Sequence, residues 1–319
     1  MGVTRFGLQI PSFTYPGVPD DELFEHVARI AATAESSGFD SLWVMDHVYQ
    51  IGVMGRREEP MFEAYTLLGA LAARTKRVSL GTLVTGVTYR NPAMLAKQVT
   101  TLDVVSSGRA ILGVGAAWNE DEHDGYGYDF PAVRERLDRL EEALQICRAM
   151  FREPAPTFEG DYHRIHKALN VPRPIRSHGI PILVGGSGER RLLRLVAQYA
   201  DACNLFGDVV TIRHKLDVLA RHCDAIGRDP ATITKTRLGA LVVAETAAEA
   251  ERIGRELAQT RGMDEDRFRG YVVVGTPDQV REQVQGFLDA GLDGMLFNMH
   301  DAYNLDSVRL AGETLRGLG

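Results

Sequence analysis

The chain is 319 residues long, with 45% hydrophobic and 25% charged residues, the balance of a folded globular protein rather than of a disordered, collagen-like or membrane-spanning chain. Its 36 Lys and Arg against 43 Asp and Glu leave a formal net charge of −7, so no basic field draws nucleic acid or anionic lipid. No stretch approaches the roughly 18 apolar residues of a membrane-spanning helix. The sequence does not open on a secretory signal, and Cys147, Cys203 and Cys223 form neither a disulfide framework nor a Cys-x-x-Cys pair. A reducing cytoplasm is therefore the expected compartment, with the three cysteines as buried small hydrophobes.

Short runs rich in Val, Ile, Leu and Phe alternate with longer segments of helical period, the pattern of parallel strands joined by crossover helices. Eight strands are predicted, at 5–10, 41–45, 77–84, 110–115, 181–185, 202–205, 236–243 and 294–298. Leu23, Val27, Ile30 and Ala34 share one helical face, as do Val133, Leu137, Leu140 and Leu144, and each stripe is expected to face the sheet. Thr276, Pro277 and Gln279 have capping-box spacing and open a helix that ends near Gly291. Eight β-then-α units fit a single (β/α)8 TIM barrel spanning 1–319, because closure removes both strand edges; a doubly wound open sheet is the alternative.

Three connections exceed what joining neighbours requires: 46–62 after strand two, 118–131 after strand four and 154–179 before strand five. The first two leave the carboxyl ends of strands, where barrel active sites are built, and are expected to wall or cover a substrate. The third is expected to hold a small hairpin at 157–166 and an extended piece at 172–174. Segment 258–270, charged and weakly periodic, is expected to be mobile.

Four strand ends carry candidate chemistry. Strand two ends in Trp43-Val44-Met45-Asp46-His47, which would aim a carboxylate and an imidazole at the barrel mouth. An imidazole, with an ordinary pKa of about 6.5, exchanges protons at neutral pH. The plainer reading is a turn-capping Asp46 and a loop-bound His47. Strand three continues through Gly81, Thr82, Leu83, Val84 and Gly86 to Arg90, offering a flat ligand close backbone contact and an anion a partner, or it is an ordinary strand and turn. Strand four ends in small residues, Gly115 among them, before Trp118, leaving room for a ring walled by the indole or simply packing a rim. Strand five leads through Gly185, Gly186, Ser187 and Gly188 into a helix, whose free amides and hydroxyl make a phosphate cradle that Arg190 or Arg191 would reinforce.

Neither a Walker motif nor Gly-x-Gly-x-x-Gly is present, nor is a serine-hydrolase elbow or a His-Glu-x-x-His helix. His163 and His166 lack a third ligand nearby, so no metal site is expected. His300 reads as structural, and Glu63 as a complement to a helix dipole.

The blocks 41–47, 80–92, 113–120 with 136–144, and 185–188, taken in order, resemble the luciferase-like monooxygenase superfamily in its deazaflavin-dependent oxidoreductase branch, over essentially the whole chain. The resemblance implies a barrel that holds the ring of coenzyme F-420 (8-hydroxy-5-deazaflavin), or alternatively of FMN, in its mouth. Residues matching that pocket are Asp46, Leu83, Val84, Gly185, Gly186, Ser187 and Gly188, with Thr82, Gly115 and Trp118 as further cofactor contacts. It also implies a non-proline cis peptide at Leu83-Val84, His47 as general acid or base, and Asp46 fixing the ring or the imidazole.

Where some relatives acting on sugar phosphates or alcohols carry a carboxylate just after strand four, this chain has Trp118, which argues against sugar-phosphate oxidation. The expected reaction is hydride transfer between coenzyme F-420 and a small organic substrate. The rivals are an FMN-dependent monooxygenase supplied by a separate reductase and a non-catalytic deazaflavin-binding protein. A homodimer is a further implication of the resemblance.

Overall fold

Alternation along a strand divides the apolar side chains into two sets. In β2 (Ser41–Val44), Leu42 and Val44 pack outward among the helices while Trp43 points into the lumen with Ile111, Leu183, Leu238 and Leu296. Glycine makes room for the indole, because a Cβ at Gly81 would lie 2.8 Å from its ring. In this computed structural model residues 3–318 are described, so residues 1, 2 and 319 of the expected domain lie outside the described residues.

The remaining strands are β1 (Phe6–Ile10), β3 (Ser79–Thr82), β4 (Thr85–Gly86), β5 (Ala110–Gly115), β6 (Phe158–Glu159), β7 (Arg164–Ile165), β8 (Ile182–Gly185), β9 (Ala202–Leu205), β10 (Thr234–Val243), β11 (Val272–Gly275) and β12 (Gly294–Asn298). Strands β1, β2, β3, β5, β8, β9, β10 and β12 pair in parallel and in that order, and β12 returns to β1, so the ring is closed. This is a (β/α)8 TIM barrel, and it excludes the doubly wound sheet.

The helices are α1 (Leu23–Ser37), α2 (Ala64–Arg74), α3 (Pro92–Val105), α4 (Glu120–Tyr126), α5 (Val133–Arg152), α6 (Leu192–Tyr199), α7 (Val209–Asp224), α8 (Ala247–Thr260), α9 (Glu265–Tyr271), α10 (Pro277–Asp289) and α11 (Leu305–Arg316). Among the described residues no helix is long and apolar enough to cross a membrane. The α10 capping box forms, with Gln279 Oε1 accepting the Thr276 amide at 2.9 Å. Cys147, Cys203 and Cys223 are buried free thiols, and burial pushes Cys147 up to about 12.

Several boundaries differ from the sequence reading. The third strand stops at Thr82 and resumes as the two-residue β4, with the Leu83-Val84 peptide cis between them. The expected hairpin is β6–β7, and the buried Glu142 carboxylate holds its turn by accepting the amides of Asp161 and His163 at 2.6 and 2.8 Å. Segment 258–270 carries the end of α8 and most of α9. The short strand β11 lengthens the sheet beside the carboxyl half of β10, outside the ring of eight. In α5 the stripe is graded: Leu140 and Leu144 are buried, Leu137 is half-buried against the core and also lines the cavity at the mouth, and Val133 is exposed beside that cavity.

Candidate active site

The mouth of the barrel encloses a cavity of about 870 Å³. Asp46 and His47 enter it from the end of β2, Leu83 and Val84 from the break after β3, Gly115 and Trp118 from the end of β5, and Gly185, Gly186, Ser187 and Gly188 from the end of β8. Every expected site residue but one therefore meets in one space. The exception is Thr82, whose fully buried hydroxyl donates to the Gly113 carbonyl at 2.9 Å and pairs with Thr85 Oγ1. As the last residue before the chain turns at the rim, it braces the floor from beneath and does not line the cavity.

His47 is held by a residue that the sequence reading missed. Its Nδ1 lies 2.7 Å from Oε2 of Glu122, on α4. The carboxylate accepts, so Nδ1 carries the hydrogen and Nε2 keeps its lone pair. Glu122 is fully buried and also accepts the amides of Val48 and Tyr49 at 2.5 and 3.2 Å, the Tyr89 hydroxyl at 3.0 Å and the Asn119 amide at 2.9 Å. Burial alone would raise its carboxyl, but the bonds from His47 and the two amides hold it below the ordinary value of 4.5. Trp118 stands edge-on to the imidazole, with ring centroids 5.6 Å apart, and is 60% exposed at the cavity rim.

Asp46 does not fix the imidazole. Its two oxygens take a fork from Arg90, Nη1 to Oδ2 at 2.5 Å and Nη2 to Oδ1 at 3.0 Å. Arg90 also reaches Glu63 at 2.7 Å, so this guanidinium is occupied within the protein and does not serve as a free anion partner. Burial raises the Asp46 carboxyl against the pull of Arg90. Glu63 caps α2 as expected, accepting the Thr66 amide at 2.7 Å, and adds the contact with Arg90.

The floor is shaped by missing side chains. A Cβ at Gly185 would lie 2.8 Å from Val84 Cγ1, and one at Gly115 would lie 2.9 Å from Val84 Cγ2. Gly186 has φ +127°, which only glycine adopts without strain, and its amide donates to the Asn204 carbonyl. Beyond it, the amides of Ser187 and Gly188 find no protein acceptor among the described residues, and Ser187 Oγ accepts the Phe206 amide at 3.3 Å. Arg190, Arg191 and Lys215 line the same end; Lys215 pairs with Glu189 at 2.5 Å and Arg191 with Asp138 at 2.5 Å. His300 lies in a different cleft, between α8 and α11.

Apolar floor, exposed amides and a fixed imidazole meet in one cavity. The family model described as luciferase-like monooxygenase matches residues 4–260. An F420-dependent glucose-6-phosphate dehydrogenase of Kineococcus radiotolerans is 31% identical over 297 residues, covering 85% of this chain and 86% of that protein. The coenzyme F420-dependent tetrahydromethanopterin reductase of Methanopyrus kandleri matches in structure with a TM-score of 0.80 at 18% identity, over 98% of each chain. The oxygenating constituent of 3,6-diketocamphane monooxygenase of Pseudomonas putida, solved with FMN, matches with a TM-score of 0.78 at 20% identity, also over 98% of each. The two structural likenesses establish the barrel; the sequence matches go further. The chain is an oxidoreductase, and it belongs to the luciferase-like monooxygenase family.

Proposed function

We propose that this protein transfers a hydride between coenzyme F-420 and a small organic substrate, with His47 exchanging the proton that accompanies it. The observation that carries this reading is the imidazole itself, fixed by Glu122 through Nδ1 while it lines the cavity. The F420-dependent relative at 31% identity supports the cofactor.

The residues present suit a ligand with a flat ring and an anionic tail. Leu83 and Val84 supply an apolar floor that Gly115 and Gly185 keep clear of side chains. The unpaired amides at Ser187 and Gly188, beside Arg190 and Lys215, suit a phosphate. When bound, coenzyme F-420 supplies a carbon that accepts or releases two electrons as hydride.

His47 Nε2 takes the proton from a substrate hydroxyl or amine as hydride leaves the neighbouring carbon, or returns it in the reverse direction. Glu122 holds the imidazole through Nδ1 and so keeps it in the productive tautomer. Asp46, bound by Arg90, is a rigid polar wall at the cofactor end, and Trp118 shields the rim.

Equilibrium titration of the purified protein with coenzyme F-420 and FMN side by side tests this reading. A preference of at least tenfold for the deazaflavin, about 1.4 kcal/mol, supports it. Preference for FMN replaces it with the monooxygenase, and binding without turnover across enones, imines, alcohols and aldehydes replaces it with a storage role.

A further inference from the structure

The imidazole faces two spaces. A second cavity of about 380 Å³, small for a ligand pocket, adjoins the first. His47, Leu83, Trp118, Phe206 and Leu238 line both, so the two meet at the proton-exchanging residue. Met45, Ile51, Val53, Met54 and Met263 make the walls of the second largely apolar.

Its charge is one-sided. Beyond His47, the charged side chains lining it are Arg261 and Arg267, and no Asp or Glu lines it among the described residues. Arg261 is half-buried; its Nη1 donates to Asn298 Oδ1 at 2.9 Å, and the Asn298 amide nitrogen in turn donates to Tyr271 Oη at 2.7 Å. These partners are neutral, and neither arginine pairs with a carboxylate among the described residues. Burial, joined by the like charge of Arg267, holds the Arg261 guanidinium below its ordinary range in spite of Tyr271 beside it. A half-buried guanidinium with only neutral partners is better satisfied when an anion completes the site, and the exposed Arg267 adds to the attraction. The two cations do not follow from the composition either, since the chain carries a net charge of −7.

We propose that the second cavity is the substrate site and that it selects an apolar molecule ending in one anionic group, a carboxylate or a phosphate, received by Arg261 with Arg267. The fork of Arg261 takes two oxygens, the methionine walls hold the apolar body, and the reacting carbon lies at the rim beside His47. This rests on the reading above for the identity of the space beyond His47 as the cofactor site.

Binding of cinnamate, cinnamamide and phenyl phosphate to the full chain without cofactor tests it, at about pH 7 where the acids are ionised. At least one of the two anions is expected to bind about tenfold more tightly than the neutral amide, and the tighter of the two identifies the preferred group. Arg261→Gln should reduce the preference to less than about threefold, while Arg261→Lys keeps an intermediate one. Equal binding of all three probes by the unaltered chain, or a preference that survives Arg261→Gln, overturns the proposal.

Thermal melting checks that the variants fold. If Arg261→Gln does not, the exposed Arg267→Gln should lower the preference at least about twofold, and no change there overturns the proposal. A separate titration with coenzyme F-420 separates the two readings. A chain that prefers anions but binds no F-420 loses the cofactor and keeps the anion pocket; one that binds F-420 without preferring anions does the reverse.

Discussion

His47 and Glu122 stand 75 positions apart in the chain and 2.7 Å apart in space, joined across the barrel mouth from the end of β2 to α4. Glu122 also receives the amides of Val48 and Tyr49, so one carboxylate fixes both the imidazole and the backbone that follows it. The orientation of the imidazole thus depends on a helix that follows a different strand of the barrel.

Replacing His47 with Ala should lower kcat by about 10²- to 10⁴-fold. Affinity for coenzyme F-420, measured by titration, should change less than about threefold, because the floor and the glycine turn are untouched. Unchanged turnover would remove His47 from the chemistry.

Glu122→Gln tests the brace. The folded carboxyl titrates below its ordinary 4.5, so its stabilisation is complete above that value and disappears as pH falls through the lowered one. The variant should be less stable by about 1–3 kcal/mol at neutral pH, and denaturation curves of the two proteins should converge as pH falls below the lowered value.

Gly185→Ala would bring a methyl group against Val84, which lies 2.8 Å from the position of that Cβ. Displacing Val84 disturbs the apolar floor, so affinity for coenzyme F-420 should fall at least about tenfold while stability changes by about 1–3 kcal/mol. Titration and melting separate the two effects.

Arg90→Met leaves the buried Asp46 without its cation and should cost about 3–5 kcal/mol in denaturant unfolding. Adding Asp46→Asn should recover part of that loss, since the stranded charge is then gone.

Thr82→Val removes a hydroxyl bonded beneath the floor. It should cost about 1–3 kcal/mol of stability and leave F-420 affinity nearly unchanged. A tenfold loss of affinity would return Thr82 to the cavity lining.

What could be read from the sequence were features that repeat locally. Strand alternation and helical period located all eight strands of the ring, and the residues at their carboxyl ends, Asp46, His47, Gly115 and Gly185 among them, do meet at the mouth. What could not be read were pairings across long separations. Glu122 sits in an acidic run with Glu120 and Asp121, and no spacing rule singles out the one that turns inward. Arg90 was noticed as a cation, but its commitment to Asp46, 44 positions away, exists only in the fold. Thr82 illustrates the period of two: one step from Leu83, its side chain points under the floor. The weak periodicity of 258–270 concealed α9 because none of its seven residues is fully buried.

The two ends of the mouth are carried by different stretches of chain. The floor and the glycine turn belong to the ring of eight, whereas Arg261, Met263, Arg267 and Tyr271 lie between α8 and β11, on a segment tied back to the ring through Asn298 of β12. Changes in that segment can therefore rewrite the far wall while the floor and the glycine turn stay constant. One barrel can in this way give rise to a lineage of enzymes that share an electron carrier and differ in what they oxidise or reduce.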